Sequence, residues 1–180
     1  MNKEDLHTLF EGKWLRLLKR GRWEYVERTH AGGMAVIIVA ATPEGKLLFV
    51  EQERIPVGGP TIEMPAGLVG DIHGAESIEE SAARELVEET GWQAGKIELL
   101  LVGPTSSGLT NERVTFVRAT DLVKVGAGGG DAGENIRVHE VPVAEAATWM
   151  VAKMAEGYQL DAKLWAGLWL LDRNPDGTPA

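Results

Sequence analysis

Apolar positions along this chain come in short runs, and their spacing sorts them into strands and helices. Trp14-Leu-Arg-Leu-Leu-Lys and Trp23-Glu-Tyr-Val-Glu-Arg alternate on either side of Arg20-Gly21-Arg22, which predicts a hairpin. Met34 to Ala41 is apolar throughout and of strand length. It reads as a buried strand that turns at Pro43-Glu44-Gly45-Lys46 and returns as Leu47 to Glu51. Thr61 to Met64 is a short strand feeding a Pro65-Ala66-Gly67 loop. Lys96 to Val102, Arg113 to Ala119 and Ile136 to Val141 complete the strands, with a loop from Gly103 to Glu112 between the first two. Helical spacing covers about Ile78 to Thr90, Val143 to Glu156 and Asp161 to Asp172. The glycine-rich stretch Ala127 to Gly133 reads as a mobile loop, and Asn174 to Ala180 as a disordered tail. Strands and helices do not alternate regularly. That argues against a doubly wound parallel sheet and for an α/β (α+β) chain, a mixed sheet with helices on its faces.

Composition narrows the function classes. With 180 residues, 44% hydrophobic and 25% charged, the chain has the make-up of one globular domain with a small appendage. No apolar run approaches the roughly 18–20 residues of a membrane span, so no membrane is expected. The net charge of −9 argues against a nucleic-acid partner, which needs a basic face. Disulfide and thiolate chemistry are excluded by the absence of cysteine. The start, Met-Asn-Lys-Glu-Asp, lacks the apolar core of an export signal, so the cytoplasm is the expected location.

The densest chemistry lies in residues 70–92. There Gly70 is followed after five residues by Glu76, and after seven more by Arg84-Glu85-Leu86-Val87-Glu88-Glu89-Thr90-Gly91-Trp92. Ser77-Ile78-Glu79-Glu80 reads as a capping box that starts a helix, and Gly91 suits its left-handed end. On that helix Glu89 lies about 40° to one side of Glu85 and Glu88 about 60° to the other. Like charges at this spacing cost roughly 0.2–0.5 kcal/mol per pair. The bland explanation is a solvated acidic face with Arg84 offsetting Glu88. The alternative is a cation in front of the arc, and carboxylate oxygens select a hard one, Mg²⁺ or Mn²⁺. Ala83, Leu86, Val87 and Thr90 form a separate flank suited to packing on a sheet, while Ser81 and Ala82 are small enough to leave room for a ligand.

This string resembles the Nudix box at every fixed position, with Trp92 in place of the last aliphatic residue. The similarity runs over roughly residues 13–172. It implies a Nudix α/β/α sandwich over residues 32–173, preceded by a small N-terminal β-sheet in residues 1–31 that pairs two copies as a homodimer, and followed by the tail 174–180. Lys13-Trp14, Trp23-Glu-Tyr-Val-Glu-Arg28, Glu51-Gln-Glu-Arg54 and Ile62-Glu-Met-Pro-Ala-Gly-Leu68 look like the branch that hydrolyses ADP-ribose and other nucleoside diphosphate sugars. The resemblance implies that Glu85, Glu88, Glu89 and the Ala66 carbonyl hold Mg²⁺, or Mn²⁺. Trp14 and Trp23 would sandwich the base, Arg28 and Arg54 would contact the diphosphate, and Leu109 would touch the substrate. Arg84 supports a carboxylate. Glu134 is the candidate base, with Asp131 and Glu140 in reserve and no role for His139. The products would be a nucleoside monophosphate and a sugar phosphate. Two departures stand out. The family's Pro-Ala-Gly loop normally supplies the box glycine, which here would be Gly67 rather than Gly70, so the loop Leu68 to Ala75 reads as three residues longer. Ser107 stands where ADP-ribose enzymes often carry proline, which widens the expectation to nucleoside diphosphate sugars in general. The alternatives are a Nudix hydrolase of dinucleoside polyphosphates or a GDP-sugar, and a nucleotide-binding Nudix module without turnover.

Overall fold

A computed structural model of the chain describes residues 5–29, 33–70, 76–131 and 133–180. The boundary between residues 31 and 32, and the path of the loop at 71–75, lie outside the described residues. Strands β1 (Leu6–Glu11), β2 (Leu15–Arg20) and β3 (Trp23–Arg28) form an antiparallel sheet in that order. The hairpin follows the alternation; β1 is an addition to it. Every residue of β1 is exposed, so no buried face imprints a period on its sequence.

Strand β4 (Met34–Ala40) explains why its run is apolar throughout. Val36, Ile38 and Ala40 enter one cluster with Ala82 and Leu86 of helix α1 (Ile78–Thr90). Ile37 and Val39 enter another with Met150 of α2 (Ala146–Ala155) and Leu164 and Leu170 of α3 (Lys163–Leu170). The period of two sends alternate residues into opposite layers. This is the expected α/β/α sandwich.

Two four-stranded mixed sheets make the middle layer. With β7 (Ala66–Leu68), β9 (Lys96–Pro104) and β10 (Arg113–Thr120), the first runs β7-β4-β10-β9, and β4 and β10 are parallel. With β5 (Lys46–Arg54), β6 (Gly59–Glu63), β12 (Arg137–Pro142) and β13 (Gln159–Leu160), the second runs β12-β5-β6-β13. The remaining two, β8 (Trp92–Gln93) and β11 (Val123–Lys124), pair as a short ribbon.

Three local expectations change. Residues 66–68 are a strand, not a loop, pairing with β4 through Ile37–Ala66, Val36–Gly67 and Ala35–Leu68. Ser81 and Ala82 leave no room for a ligand, because both are fully buried beneath α1. The tail 174–180 is an ordered turn: Asn174 N–H donates to the Thr178 carbonyl at 2.8 Å, and Ala180 N–H to that of Asp172 at 2.9 Å.

Candidate active site

Helix α1 is set by its two ends and one face. The capping box forms, with Glu80 N–H donating to Ser77 Oγ at 3.2 Å and Ser77 N–H to Glu80 Oε2 at 2.8 Å. Gly91 closes the other end, its N–H bonded to Val87 O at 2.9 Å. Leu86 is fully buried against the sheet, which contributes about 1.5–3 kcal/mol. That outweighs the repulsion of a neighbouring carboxylate pair, so burial decides the helix's rotation and the acidic arc follows. Glu85 and Glu89 are turned inwards and buried, while Glu88 stays exposed.

Strand β7 meets the inward carboxylates. Ala66 N–H donates to Glu89 Oε2 at 3.0 Å. A Cβ at Gly67 would sit 2.0 Å from Glu85 Cδ, so only glycine lets this carboxylate approach the strand. Gly70 has a separate reason: its φ of +77° is left-handed, and its backbone bonds the Glu76 carboxylate. Both glycines are therefore used, one for close approach and one for a turn.

Arg84 organises the outer part of the arc. It binds Glu76 through Nε at 3.0 Å and Nη2 at 3.2 Å, and its Nη1 reaches Glu85 at 2.9 Å and Glu88 at 3.0 Å. Glu76 also accepts from Ser81 Oγ at 2.8 Å. Arg84, then Ser81 and the Gly70 backbone, hold the Glu76 carboxyl below its usual range. Glu76 was visible as a fixed motif position, but its partner was not.

Glu85, Glu89, Ala66, Arg28, Arg54 and Glu134 all line one cavity of about 680 Å³. Glu88 is not on its wall. Four further charged residues on the wall escape a reading of the sequence: Glu63, Glu112, Asp161 and Lys163. They arrive from β6, the 105–112 loop and the start of α3, so only the tertiary fold gathers them; the one local signal is that Thr61 and Glu63 share a strand face. Arg54 and Glu63 form a two-point pair at 2.8 Å each, and Thr61 Oγ1 donates to Glu63 at 2.6 Å. Burial opposes the charge on Glu63, but these bonds outweigh it and hold the carboxyl low. Glu89 goes the other way. Burial first, then the charges of Glu85, Glu134 and Glu63, push its carboxyl up to about 8.

The glycine-rich segment is tied to the same helix rather than loose. Gly129 N–H donates to Glu89 O at 2.8 Å and Gly130 N–H to Glu88 O at 3.0 Å, capping carbonyls that α1 leaves open. Beyond it Glu134 reaches the cavity wall, with its carboxylate accepting from Asp131 N–H at 3.3 Å. The reserves do not reach that wall. Asp131 binds Gly133 N–H, and Glu140 binds Trp92 Nε1 at 3.1 Å. His139 pairs with Glu51 at 2.7 Å, beside Trp149.

The tryptophans sit apart. Trp14 precedes β2 and Trp23 opens β3 opposite Arg20, so a whole hairpin, about 20 Å, separates them. They are 63% and 55% exposed. Trp23 lines a second cavity of about 720 Å³ with Tyr25, Arg20 and Ser107, and this shares no residue with the first. Leu109 is exposed and meets β3 through its carbonyl, which accepts from Val26 N–H at 2.8 Å.

Residues 32–161 match the model of the NUDIX domain. The chain belongs to the Nudix family. Nudix hydrolases generally use divalent metal cations. The chain is 35% identical over 125 residues to a methanol dehydrogenase activator of Bacillus methanolicus, 69% of this chain and 65% of that one. It is 33% identical over 140 residues to a GDP-mannose pyrophosphatase of Pectobacterium atrosepticum (73% and 68%), and 39% identical over 93 residues to an ADP-ribose pyrophosphatase of Bacillus subtilis (52% and 48%). The matches thus span between about half and two thirds of those relatives' lengths. A crystal structure of an ADP compounds hydrolase superposes with a TM-score of 0.64 at 19% identity, covering 84% of this chain and 92% of that one; it supports the Nudix fold. Among the described residues no helix is long and apolar enough to cross a membrane.

The donor set fits a divalent cation chemically. Six acidic residues against three cationic ones line the cavity, and Glu85 and Glu89 offer hard oxygen donors beside the Ala66 backbone. In the present side-chain arrangement no three acidic or imidazole groups among the described residues converge on one point. The reason is visible: Arg84 draws Glu85 and Glu88, and the Ala66 amide holds Glu89.

Proposed function

We propose that this protein hydrolyses the diphosphate bond of ADP-ribose or related nucleoside diphosphate sugars with Mg²⁺, as a cytoplasmic homodimer. The observation that carries the reading is the charge balance of the cavity. Its acidic excess would repel a diphosphate, yet Arg28, Arg54 and Lys163 face the same space. Cations supplied from outside resolve that conflict. Glu85, Glu89 and the Ala66 carbonyl would hold them, with Glu88 joining once Arg84 releases it. Such ions would neutralise phosphate charge and promote ionisation of water.

The chain's own groups do the rest. Arg54 and Arg28 present N–H donors to phosphate oxygens in the geometry that suits guanidinium. Glu134 accepts the proton of the attacking water. The water oxygen bonds to phosphorus as the bridging P–O bond breaks and the bridging oxygen leaves with the other phosphate, giving a nucleoside monophosphate and a sugar phosphate. Arg84 and Glu76 brace the carboxylates. Trp14 and Trp23 are too far apart in one chain to hold one base, so their stacking role calls for one from each of two copies. The relatives named for ADP-ribose and GDP-mannose support the substrate class, and GDP-sugars are its second member. A complete carboxylate set weighs against a binding module without turnover.

The direct check is to incubate the protein with Mg²⁺ and a panel of ADP-ribose, GDP-mannose and dinucleoside polyphosphates, then identify products. A monophosphate and a sugar phosphate from the sugar nucleotides are expected. Cleavage of dinucleoside polyphosphates alone would overturn the substrate class, and no cleavage would overturn the activity.

A further inference from the structure

The loop from Thr105 to Glu112 grips strand β3 on both of its faces. Consecutive strand residues point to opposite sides. Glu27 faces the cavity that holds Trp23, and Arg28 faces the cavity that holds Glu85 and Glu89. Two consecutive loop residues match them. Asn111 Nδ2 donates to Glu27 Oε1 at 2.6 Å, and Arg28 Nε donates to Glu112 Oε1 at 2.5 Å. The Val26 amide, bonded to Leu109 O at 2.8 Å, closes the grip.

Glu112 is itself held at both ends of its backbone. Its N–H donates to Thr110 Oγ1 at 3.1 Å, and its carbonyl accepts from Thr105 N–H at 3.1 Å. Its side chain is only 18% exposed, so its charge needs a partner at close range. Arg28 is that partner, and the bond uses Nε–H. The guanidinium's remaining donors, on its two terminal nitrogens, belong to the edge that suits a phosphate.

Resting on the hydrolase reading above, we propose that Glu112 is a positioning residue. It fixes the Arg28 guanidinium on the cavity wall, so that the terminal nitrogens meet the diphosphate without first being ordered. The loop thereby couples the N-terminal sheet to the site. A preorganised donor lowers the cost of binding more than it changes the chemical step.

The test compares wild type, Glu112→Ala, Glu112→Gln, Arg28→Ala and the double variant Glu112→Ala/Arg28→Ala, with ADP-ribose and Mg²⁺. Glu112→Ala is expected to raise KM about tenfold with kcat within about twofold. Glu112→Gln, whose amide oxygen still accepts from Nε, should do less. In the Arg28→Ala background, losing Glu112 should add almost nothing. Equal losses in both backgrounds, or a fall in kcat at constant KM, would overturn the proposal. Should Glu112→Ala melt early, Glu112→Gln carries the comparison. The arginine Nε–H resonance removed by Arg28→Lys gives a readout independent of turnover, and it should shift in Glu112→Gln. An unmoved resonance refutes the pair. A wild type without turnover instead refutes the hydrolase reading, and the resonance still decides the pair.

Discussion

Glu89 carries a proton well into the neutral range for reasons that a cation would reverse. Burial and the charges of Glu85, Glu134 and Glu63 lift its carboxyl to about 8 from an ordinary 4.5. In the metal-free protein the folded state therefore keeps a proton that the unfolded chain gives up. This term stabilises fully below about pH 4.5 and is lost as pH rises through about 8. A divalent ion bound at Glu89 would take the proton's place. Thermal melts should show that Mg²⁺ raises Tm more at about pH 9 than at about pH 6. A Mg²⁺ effect that shrinks with rising pH would contradict the assignment of Glu89. Gly67 belongs to the same scale. Because a Cβ there would overlap Glu85, Gly67→Ala should displace that carboxylate and cut Mg²⁺-dependent turnover about tenfold or more. Steady-state assays at matched folded concentration will show it.

At the scale of elements, what was legible depended on whether the cause was local. The box helix was readable to its ends because a capping box and a terminal glycine are local signals, and both form. The buried β4 was readable because it is imprinted by the two layers it faces, and the hairpin because its strands pair around a turn glycine, Gly21, of positive φ. Strand β1 is exposed on both faces and so carries no such imprint. Residues 66–68 read as a loop because a three-residue strand has no period of its own; pairing with β4 makes it one. Glu112 and Lys163 reach the cavity through the fold alone, and no spacing announces them. The glycine-rich segment was legible in composition but not in purpose. A Cβ at Gly128 would lie 2.5 Å from Glu89 O, and its φ of +74° is left-handed. Glycine there serves contact with α1, not looseness alone. Gly128→Ala should cost about 1–3 kcal/mol in urea unfolding and lower kcat by displacing Glu134.

At the scale of the whole molecule, two features join distant parts. Arg118, buried in β10, donates to the carbonyls of Leu170 at 3.0 Å and Arg173 at 2.7 Å and pairs with Glu98 at 3.2 Å. It caps α3 and holds the tail. Arg118→Ala should lower unfolding stability by about 2–4 kcal/mol, since it strands the buried Leu170 carbonyl and breaks the ties to Arg173 and Glu98, while activity per folded molecule persists. The second feature is the hairpin's length between Trp14 and Trp23. Light scattering should show a dimer, and Trp14→Ala and Trp23→Ala should each raise KM roughly tenfold. An active monomer would refute base stacking across copies. Glu89→Gln decides whether the inward carboxylates of α1 drive metal-dependent hydrolysis. With ADP-ribose and Mg²⁺, wild type should yield AMP and ribose 5-phosphate. The variant should melt like a folded protein yet turn over about 100-fold slower or worse; a folded variant at near wild-type rate would contradict the account.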